Sequence, residues 1–433
     1  MGIQATRGTR DILPEEIGNW QRIEAIARET LSRAAYQEIR TPMFEQTDLF
    51  ERGIGEATDV VGKEMYTFKD RGDRSITLRP EGTAGVVRSY IEHGMQAQGG
   101  VQRLWYTGAM FRYERPQAGR QRQFHQLGVE VLGSGDVRAD AEVIAIATDI
   151  LQSIGLKNLT LQLNSIGNAD DRQNYRTALI EFLTPLKDKL DPDSQTRLTK
   201  NPLRILDSKD AQTQAILENA PSILDYLSAE SKQRFDLVQA LLEDLGIPCN
   251  INARLVRGLD YYTHTVFEIQ SNDLGAQATV CAGGRYDGLV AQLGGADTPA
   301  VGWAMGLERL VILLQKMQHT QASSNAKRGA SIDFYVVSRG EAAEAQALKL
   351  AQSLRRIGFA TELDMSGSAF GKQFKRADRS GAAACLILGD AEAENGTVQL
   401  KWLKTGEQSA IAQSDLLNNA DQVRQQLAEQ AGV

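Results

Sequence analysis

Cysteine is scarce in this chain. Cys249, Cys281 and Cys385 are the only three among 433 residues, and no two form a C-x-x-C pair. Neither a disulfide framework nor a zinc site is expected from that spacing. Long apolar runs are missing too: no stretch approaches the roughly 18 apolar residues that a membrane span needs. At the N-terminus Arg7 and Arg10 precede acids rather than an apolar segment, unlike a signal peptide. A reducing cytoplasm is therefore expected, with no membrane partner. Glycine cradles for phosphate are absent as well. No G-x-x-x-x-G-K-[ST] or G-x-G-x-x-G occurs, and the GKE at Gly62 and GKQ at Gly371 lack both the spacing and the hydroxyl. If ATP binds, arginines on an antiparallel sheet must hold its phosphates, a task suited to their planar, permanently charged fork. There is no internal repeat and no low-complexity tract.

What is present is ordinary for a globular protein: 42% hydrophobic and 24% charged residues. At roughly 150 residues per domain the length allows about three domains. The net charge of −7 argues against a generally basic nucleic-acid coat but not against local nucleic-acid-binding surfaces, because binding depends on where the cations sit.

The stretch from Val101 to Gly133 organises the rest. Two strand-like runs, Leu104 to Phe111 and Gln123 to Leu132, flank a loop rich in Arg, Gly and Pro. Period-two alternation puts Gln126, Gly128 and Glu130 on one face and Leu127, Val129 and Val131 on the other. A mid-strand glutamate is costly to bury unless something pairs with it. Arg112, Arg115, Arg120 and Arg122 lie beside that face. An exposed hairpin with solvated arginines is the plain alternative. An acid and an amide on a strand floor with arginines at its mouth instead suit a small polar cation held next to a polyphosphate.

Around this hairpin the pattern predicts a helix from Glu15 with Ile17, Trp20, Ile23, Ala27 and Leu31 as its apolar stripe. EIRTPMFE follows, where Pro42 marks an edge strand or a subunit interface. A hairpin over Met65–Lys69 and Ser75–Arg79 leads to Pro80, Glu81 and Thr83 at a strand-to-helix junction, and a helix is expected over Val137–Ile154. From Asp170 to Pro248 helical patterns dominate, as a helical insertion. Three site-like segments come next. LVRGLDYYTHTVFEI carries Arg257, Asp260, Tyr261 and Tyr262. TVCAGGRYDGLV has a Gly-Gly pair that would let a ligand approach the backbone. AVGWAMGLERLVILL enters a helix near Gly306, with Arg309 in its first turn, where a cation is favourable only beside an anion. After a polar link, Gln321 to Gly329, strands and helices alternate as in a small α/β domain with a mostly parallel sheet. There Lys372, Lys375, Arg376 and Arg379 form one cationic helix face, either solvated or an RNA contact.

These residues carry a resemblance. Over essentially its whole length the chain is similar to histidyl-tRNA synthetases, class II aminoacyl-tRNA synthetases. Pro42 in EIRTPMFE matches the first class motif at the dimer interface, FRYERP with Arg112 the second, and GLERL with Arg309 the third. LVRGLDYY and CAGGRYDGL resemble the two histidine-specific signatures, and NPLRILDSK in the insertion is also family-like. Thr263 and His264 depart from the Asn and Arg expected after the double tyrosine. His264 is expected to be a packed or exposed histidine rather than a catalyst.

The resemblance implies an α+β fold. A class II antiparallel sheet flanked by helices would span residues 1–325, interrupted by a tRNA-binding helical insertion over 170–248. An α/β anticodon-binding domain would span 330–433. It implies that L-histidine and ATP form histidyl-adenylate and pyrophosphate, after which histidine moves to the 3′ end of tRNA(His) in a cytoplasmic homodimer. Glu81 and Thr83 would hold the α-amino group. Gln126, Glu130 and Tyr262 would surround the side chain, with Tyr261 adjoining and Tyr286 closing the pocket. Arg112, Glu114 and Arg309 would bind ATP, and Arg112 would also contact the histidine. Arg257 would contact the substrate carboxylate and α-phosphate, with Arg112 and Arg257 catalytic. Mg²⁺ would arrive with ATP and need no dedicated protein cage. Such a polar site rejects apolar analogues strongly, so no editing domain is expected. The alternatives are a non-catalytic synthetase-like regulatory subunit of ATP phosphoribosyltransferase and a ligase for another amino acid. The three arginines and the C-terminal domain speak against the first, the histidine signatures against the second.

Overall fold

The computed structural model describes residues 2–55, 58–117, 119–273, 279–321 and 332–431. Two compact units emerge, Met1–Ser323 and Ser324–Val433. In chain order the strands are β1 (Gln37–Glu38), β2 (Phe44–Gln46), β3 (Tyr66–Lys69), β4 (Ser75–Leu78), β5 (Gln102–Phe111), β6 (Gln123–Leu132), β7 (Leu159–Ser165) and β8 (Cys249–Ile251). They continue as β9 (Thr263–Ser271), β10 (Thr279–Arg285), β11 (Ala300–Gly306), β12 (Phe334–Arg339), β13 (Thr361–Leu363), β14 (Ala384–Gly389), β15 (Thr397–Trp402) and β16 (Gln408–Ala412).

The first unit is built on an eight-stranded sheet of order β1-β5-β6-β11-β10-β9-β7-β8. All its inner pairings are antiparallel, and only the short edge strands β1 and β8 pair in parallel. The alternation in β6 decides which face is which. Leu127, Val129 and Val131 pack against Trp20, Ile23, Ala27 and Leu31 of the helix Pro14–Arg33, and against the helices Val137–Ile154 and Leu307–Gln321. Gln126, Gly128 and Glu130 are left for the opposite face. Ile17, expected in the helix's apolar stripe, is instead at the surface, because the buried arc begins one turn later at Trp20. Pro42 lies between β1 and β2, outside both strands, and interrupts the segment as a residue with no N–H to donate must. A small three-stranded sheet, β2-β4-β3, completes this side. Its hairpin closes at Asp70, whose Oδ1 accepts from the N–H groups of Gly72 (2.8 Å) and Arg74 (3.0 Å).

The insertion starts with the helix Ala169–Leu183, capped by Asn168, and continues through Pro192–Lys200, Ala211–Leu217 and Ala229–Asp244. It is not a free-standing lobe. Phe235, Val238 and Leu242 of its last helix join the core beneath the main sheet. Leu179, Leu183, Leu198, Ile205 and Leu206 share a second core with Tyr106, Tyr261, Tyr262 and Tyr286 on the sheet's other face. Asp191 ties the insertion's turns together, its Oδ2 accepting from the hydroxyls of Ser194, Ser208 (2.9 Å) and Thr213 (3.0 Å).

The second unit has a five-stranded sheet, β13-β12-β14-β15-β16. Its first three strands are parallel, as expected from the alternation of strand and helix. The antiparallel hairpin β15–β16 makes the sheet mixed rather than mostly parallel. Phe334, Val336, Leu386 and Val398 meet the helix Glu341–Arg356 in the core. The polar link expected at Gln321–Gly329 falls, from 322 on, outside the described residues. Among the described residues no helix is long and apolar enough to cross a membrane.

Candidate active site

A cavity of about 300 Å³ opens on the polar face of the large sheet. It brings together every residue of the first unit assigned to histidine or ATP from the sequence: Glu81, Thr83, Arg112, Glu114, Gln126, Glu130, Arg257, Tyr261, Tyr262, Tyr286 and Arg309. Within it Glu81, Glu130 and the tyrosines cluster around Thr83, while Arg112, Arg120 and Arg257 each stand beside a carboxylate, Glu114 or Glu268.

The cluster around Thr83 is built on β6 and the start of the helix Thr83–Glu92. The Glu81 carboxylate accepts from the N–H groups of Thr83 (2.7 Å) and Ala84 (2.8 Å), and so caps that helix. Burial raises its pKa, and these two N–H groups oppose the rise. Glu130, 1% exposed, receives the Thr83 hydroxyl on one oxygen (2.7 Å) and the Tyr286 hydroxyl on the other. Burial is the main reason its pKa is pushed up to about 8, with Glu81 adding to the rise and the two hydroxyls countering it. On the neighbouring strand β11, a Cβ at Gly302 would lie 2.0 Å from the Glu130 carboxylate, so only glycine leaves that carboxylate its place. Tyr261 packs tilted against Tyr262 and edge-on to Tyr286, with ring centroids 4.7 and 5.6 Å away. Gln126 Oε1, the Tyr106 hydroxyl and Arg257 Nε are buried without a hydrogen-bond partner among the described residues. Such groups normally find a partner.

Arg112 donates from Nε to the Pro80 carbonyl (2.8 Å) and lies over the Phe124 ring. Glu114 stands 3.9 Å from Arg112 and 3.6 Å from Arg120. Arg257 contacts Glu268, whose other oxygen accepts from Thr279 Oγ1 (2.7 Å) and Gln270 (3.2 Å). Burial alone would lower the pKa of Arg257, but Glu268 and the neighbouring tyrosines outweigh it and raise it. Arg309, in the first turn of its helix, donates to the Thr279 carbonyl; burial and the like charge of Arg120 lower its pKa. A buried cation at a helix N-terminus beside further guanidiniums is a place for an anion.

Some expectations change. The Gly283-Gly284 pair does not open the backbone to a ligand. A Cβ at Gly283 would strike the Gly302 carbonyl at 2.2 Å, and one at Gly284 the Thr265 carbonyl at 2.4 Å, so crowding by the flanking strands demands both glycines. Asp260 faces away from the cavity toward the insertion. His264, as expected, is a packed histidine: half-buried in a left-handed conformation (φ 47°), its Nδ1 buried without a hydrogen-bond partner among the described residues; burial lowers its pKa. It does not line the cavity. In the second unit the cationic face is narrower than expected. Arg376 is held by Asp364, Ser366 and Ser368, leaving Lys372, Lys375 and Arg379 as its exposed cations.

Glu268, Thr279 and Glu308 were not anticipated at the cavity. Glu308 accepts the His125 N–H (2.9 Å) and so fixes the end of β6 to the helix that carries Arg309. Glu268 could have been found, because it is a mid-strand acid between Phe267 and Ile269, as Glu130 is between valines.

An antiparallel sheet carrying arginines beside carboxyl, amide and phenol groups is the arrangement expected of a class II aminoacyl-tRNA synthetase. Residues 8–310 match the family described as Histidyl-tRNA synthetase, and residues 333–422 match the Anticodon binding domain. The chain is 71% identical to the histidine–tRNA ligase of a Cyanothece species over 427 residues, covering 99% of this chain and 98% of that one. It is 70% identical to that of Gloeothece citriformis over 423 residues, 98% and 97% of the two chains. The apo histidyl-tRNA synthetase of S. aureus superposes with a TM-score of 0.79 at 41% identity, covering 96% of this chain and 99% of that one. The chain belongs to the histidyl-tRNA synthetase family.

Proposed function

We propose that the chain is a histidine–tRNA ligase acting in the cytoplasm as a homodimer. The histidine carboxylate attacks the α-phosphorus of ATP, the bond to the bridging oxygen breaks, and pyrophosphate leaves. A hydroxyl of the 3′-terminal ribose of tRNA(His) then attacks the acyl carbon, and AMP leaves. One observation carries the proposal: a single cavity joins a buried cluster of Glu81, Glu130 and tyrosines to the guanidinium groups of Arg112, Arg257 and Arg309. Imidazole has two ring nitrogens, and Glu130, Tyr262 and Gln126 can read both. Glu81 and Thr83 hold the α-amino group, while Tyr261 and Tyr286 wall the pocket.

The attacking carboxylate and the α-phosphate are both anions, so their approach needs cations. Arg257, beside Glu268 and the Tyr262 ring, serves both. Arg112, with Glu114 and Arg309, grips the nucleotide, and Arg112 and Arg257 stabilise charge developing at phosphorus. Mg²⁺ would neutralise phosphate charge. It would be held chiefly by ATP's own oxygens and water, with Glu114 and Glu268 lining the cavity beside the arginines. The insertion and the second unit bind tRNA, the latter through Lys372, Lys375 and Arg379, with Arg376 bracing that face. The regulatory-subunit alternative is disfavoured by the full-length identity of about 70% to histidine–tRNA ligases and by the presence of all three arginines. Charging tests the proposal: the protein with ATP, Mg²⁺ and radiolabelled histidine should acylate tRNA(His) transcript. Failure to acylate it would count against the proposal.

A further inference from the structure

NPLRILDSK and Asp260 have no part in the chemistry above, yet they meet. The segment from Arg257 to Tyr262 lies between β8 and β9, outside any sheet ladder. Its residues divide between two sides. Arg257, Leu259, Tyr261 and Tyr262 line the cavity, while Gly258 and Asp260 turn to the insertion. There the Asn201 amide donates to Asp260 Oδ1 (2.7 Å). Arg172 Nη1 donates to the carbonyls of Asp260 (3.2 Å) and Tyr262 (2.8 Å). Arg204 lies so close to Gly258 that a Cβ there would meet its Nη1 at 3.1 Å. From the other side the Asp260 N–H donates to the Ile54 carbonyl (3.2 Å), and Gly55 (φ +102°) leaves room for the Asp260 side chain. The segment is therefore held at the carbonyls of Asp260 and Tyr262 and at its one acid by groups from the insertion.

We infer that Arg172 and Asn201 are positioning residues of the histidine pocket. On this view the insertion takes part in amino-acid activation before any tRNA arrives. The inference rests on the histidine-activation proposal above. An error of about 1 Å in a group that orients a substrate can cost orders of magnitude in turnover, so the restraint matters at a pocket that Tyr261 and Tyr262 form. A role in overall folding alone would lower stability without discriminating between substrates. A positioning role would raise the KM for histidine and, through Arg257, lower kcat, while sparing the binding of ATP at Arg112 and Arg309, which come from other elements.

The test is pyrophosphate exchange by the full-length protein without tRNA, comparing wild type with Asn201→Ala and Arg172→Gln. The expected result is a KM for histidine raised about tenfold or more, with the KM for ATP within about twofold. The double variant Asn201→Asp with Asp260→Asn, which exchanges donor and acceptor, should recover most of the loss. Should the alanine variant fail to fold, Asn201→Ser and Arg172→Lys serve in its place. Unchanged histidine KM in folded variants at both positions would overturn the inference, as would equal losses for histidine and ATP. Calorimetric titration with histidine separates this from failure of the underlying proposal. A wild type that binds histidine without exchange would sink that proposal, and weaker binding by the variants would still support the positioning role.

Discussion

The Arg257 guanidinium lies against the Glu268 carboxylate, and both line the cavity in which the α-phosphate of ATP would sit. Glu268 is also fixed by Thr279 and Gln270, so it restrains Arg257 in the substrate-free site. Replacing Arg257 by Ala should lower adenylate formation by a factor of about 10² or more, the usual scale for removing a group that stabilises transition-state charge. Glu268→Gln keeps the shape and removes the charge, and should cost much less. Single-turnover formation of the adenylate measures both. A rate for Arg257→Ala within a fewfold of wild type would remove Arg257 from the chemistry.

Glu130 makes the substrate-free protein sensitive to pH. Its folded pKa of about 8 lies above the ordinary 4.5, so between those values the folded state holds more protons than the unfolded one. Its contribution to stability is complete below about pH 4.5, falls as pH rises, and levels off above about 8. Glu130→Gln removes this slope, and should raise the thermal midpoint relative to wild type by a few °C at pH 9 while changing it little at pH 5. The same substitution should abolish most histidine activation. Parallel midpoint-versus-pH curves for the two proteins would contradict the assignment.

Arg285 is fully buried between Asp140 (Nε to both oxygens, 3.1 Å), Asp287 (3.0 Å) and the Ser134 carbonyl (2.9 Å). It anchors the residue just before Tyr286. Arg285→Met strands a buried carboxylate and should cost about 3–5 kcal/mol in urea unfolding. Pairing it with Asp140→Leu should recover part of that cost, because the charge then left without its partner is that of the part-exposed Asp287 and no longer the fully buried Asp140.

In the second unit, Lys372→Glu with Lys375→Glu and Arg379→Glu should weaken tRNA charging and reduce its salt dependence. Histidine-dependent pyrophosphate exchange should stay within about twofold of wild type, since adenylation involves no RNA.

Local signals carried much of this site. The period-two pattern of β6 placed Gln126 and Glu130 on one face, and the helix start after Pro80 placed Glu81 and Thr83. The β15–β16 hairpin was equally local: Val398, Leu400 and Trp402 alternate with polar residues before a turn at Gly406, a pattern the helix–strand alternation upstream obscured. What stayed hidden depends on partners distant in sequence. Asp140 meets Arg285 across 145 residues, and Arg172 meets Asp260 across 88. The Gly-Gly pair was misread for the same reason. A glycine that spares a neighbouring strand looks, in one dimension, like a glycine that admits a ligand.

The central claim is that this cavity selects histidine and joins it to ATP. Pyrophosphate exchange into ATP by the wild-type protein, with Mg²⁺, without tRNA and with each of the twenty amino acids in turn, tests it most directly. Exchange with histidine and none comparable with any other amino acid is the expected result. Exchange driven by a different amino acid, or none with histidine from folded protein that binds it, would contradict the claim.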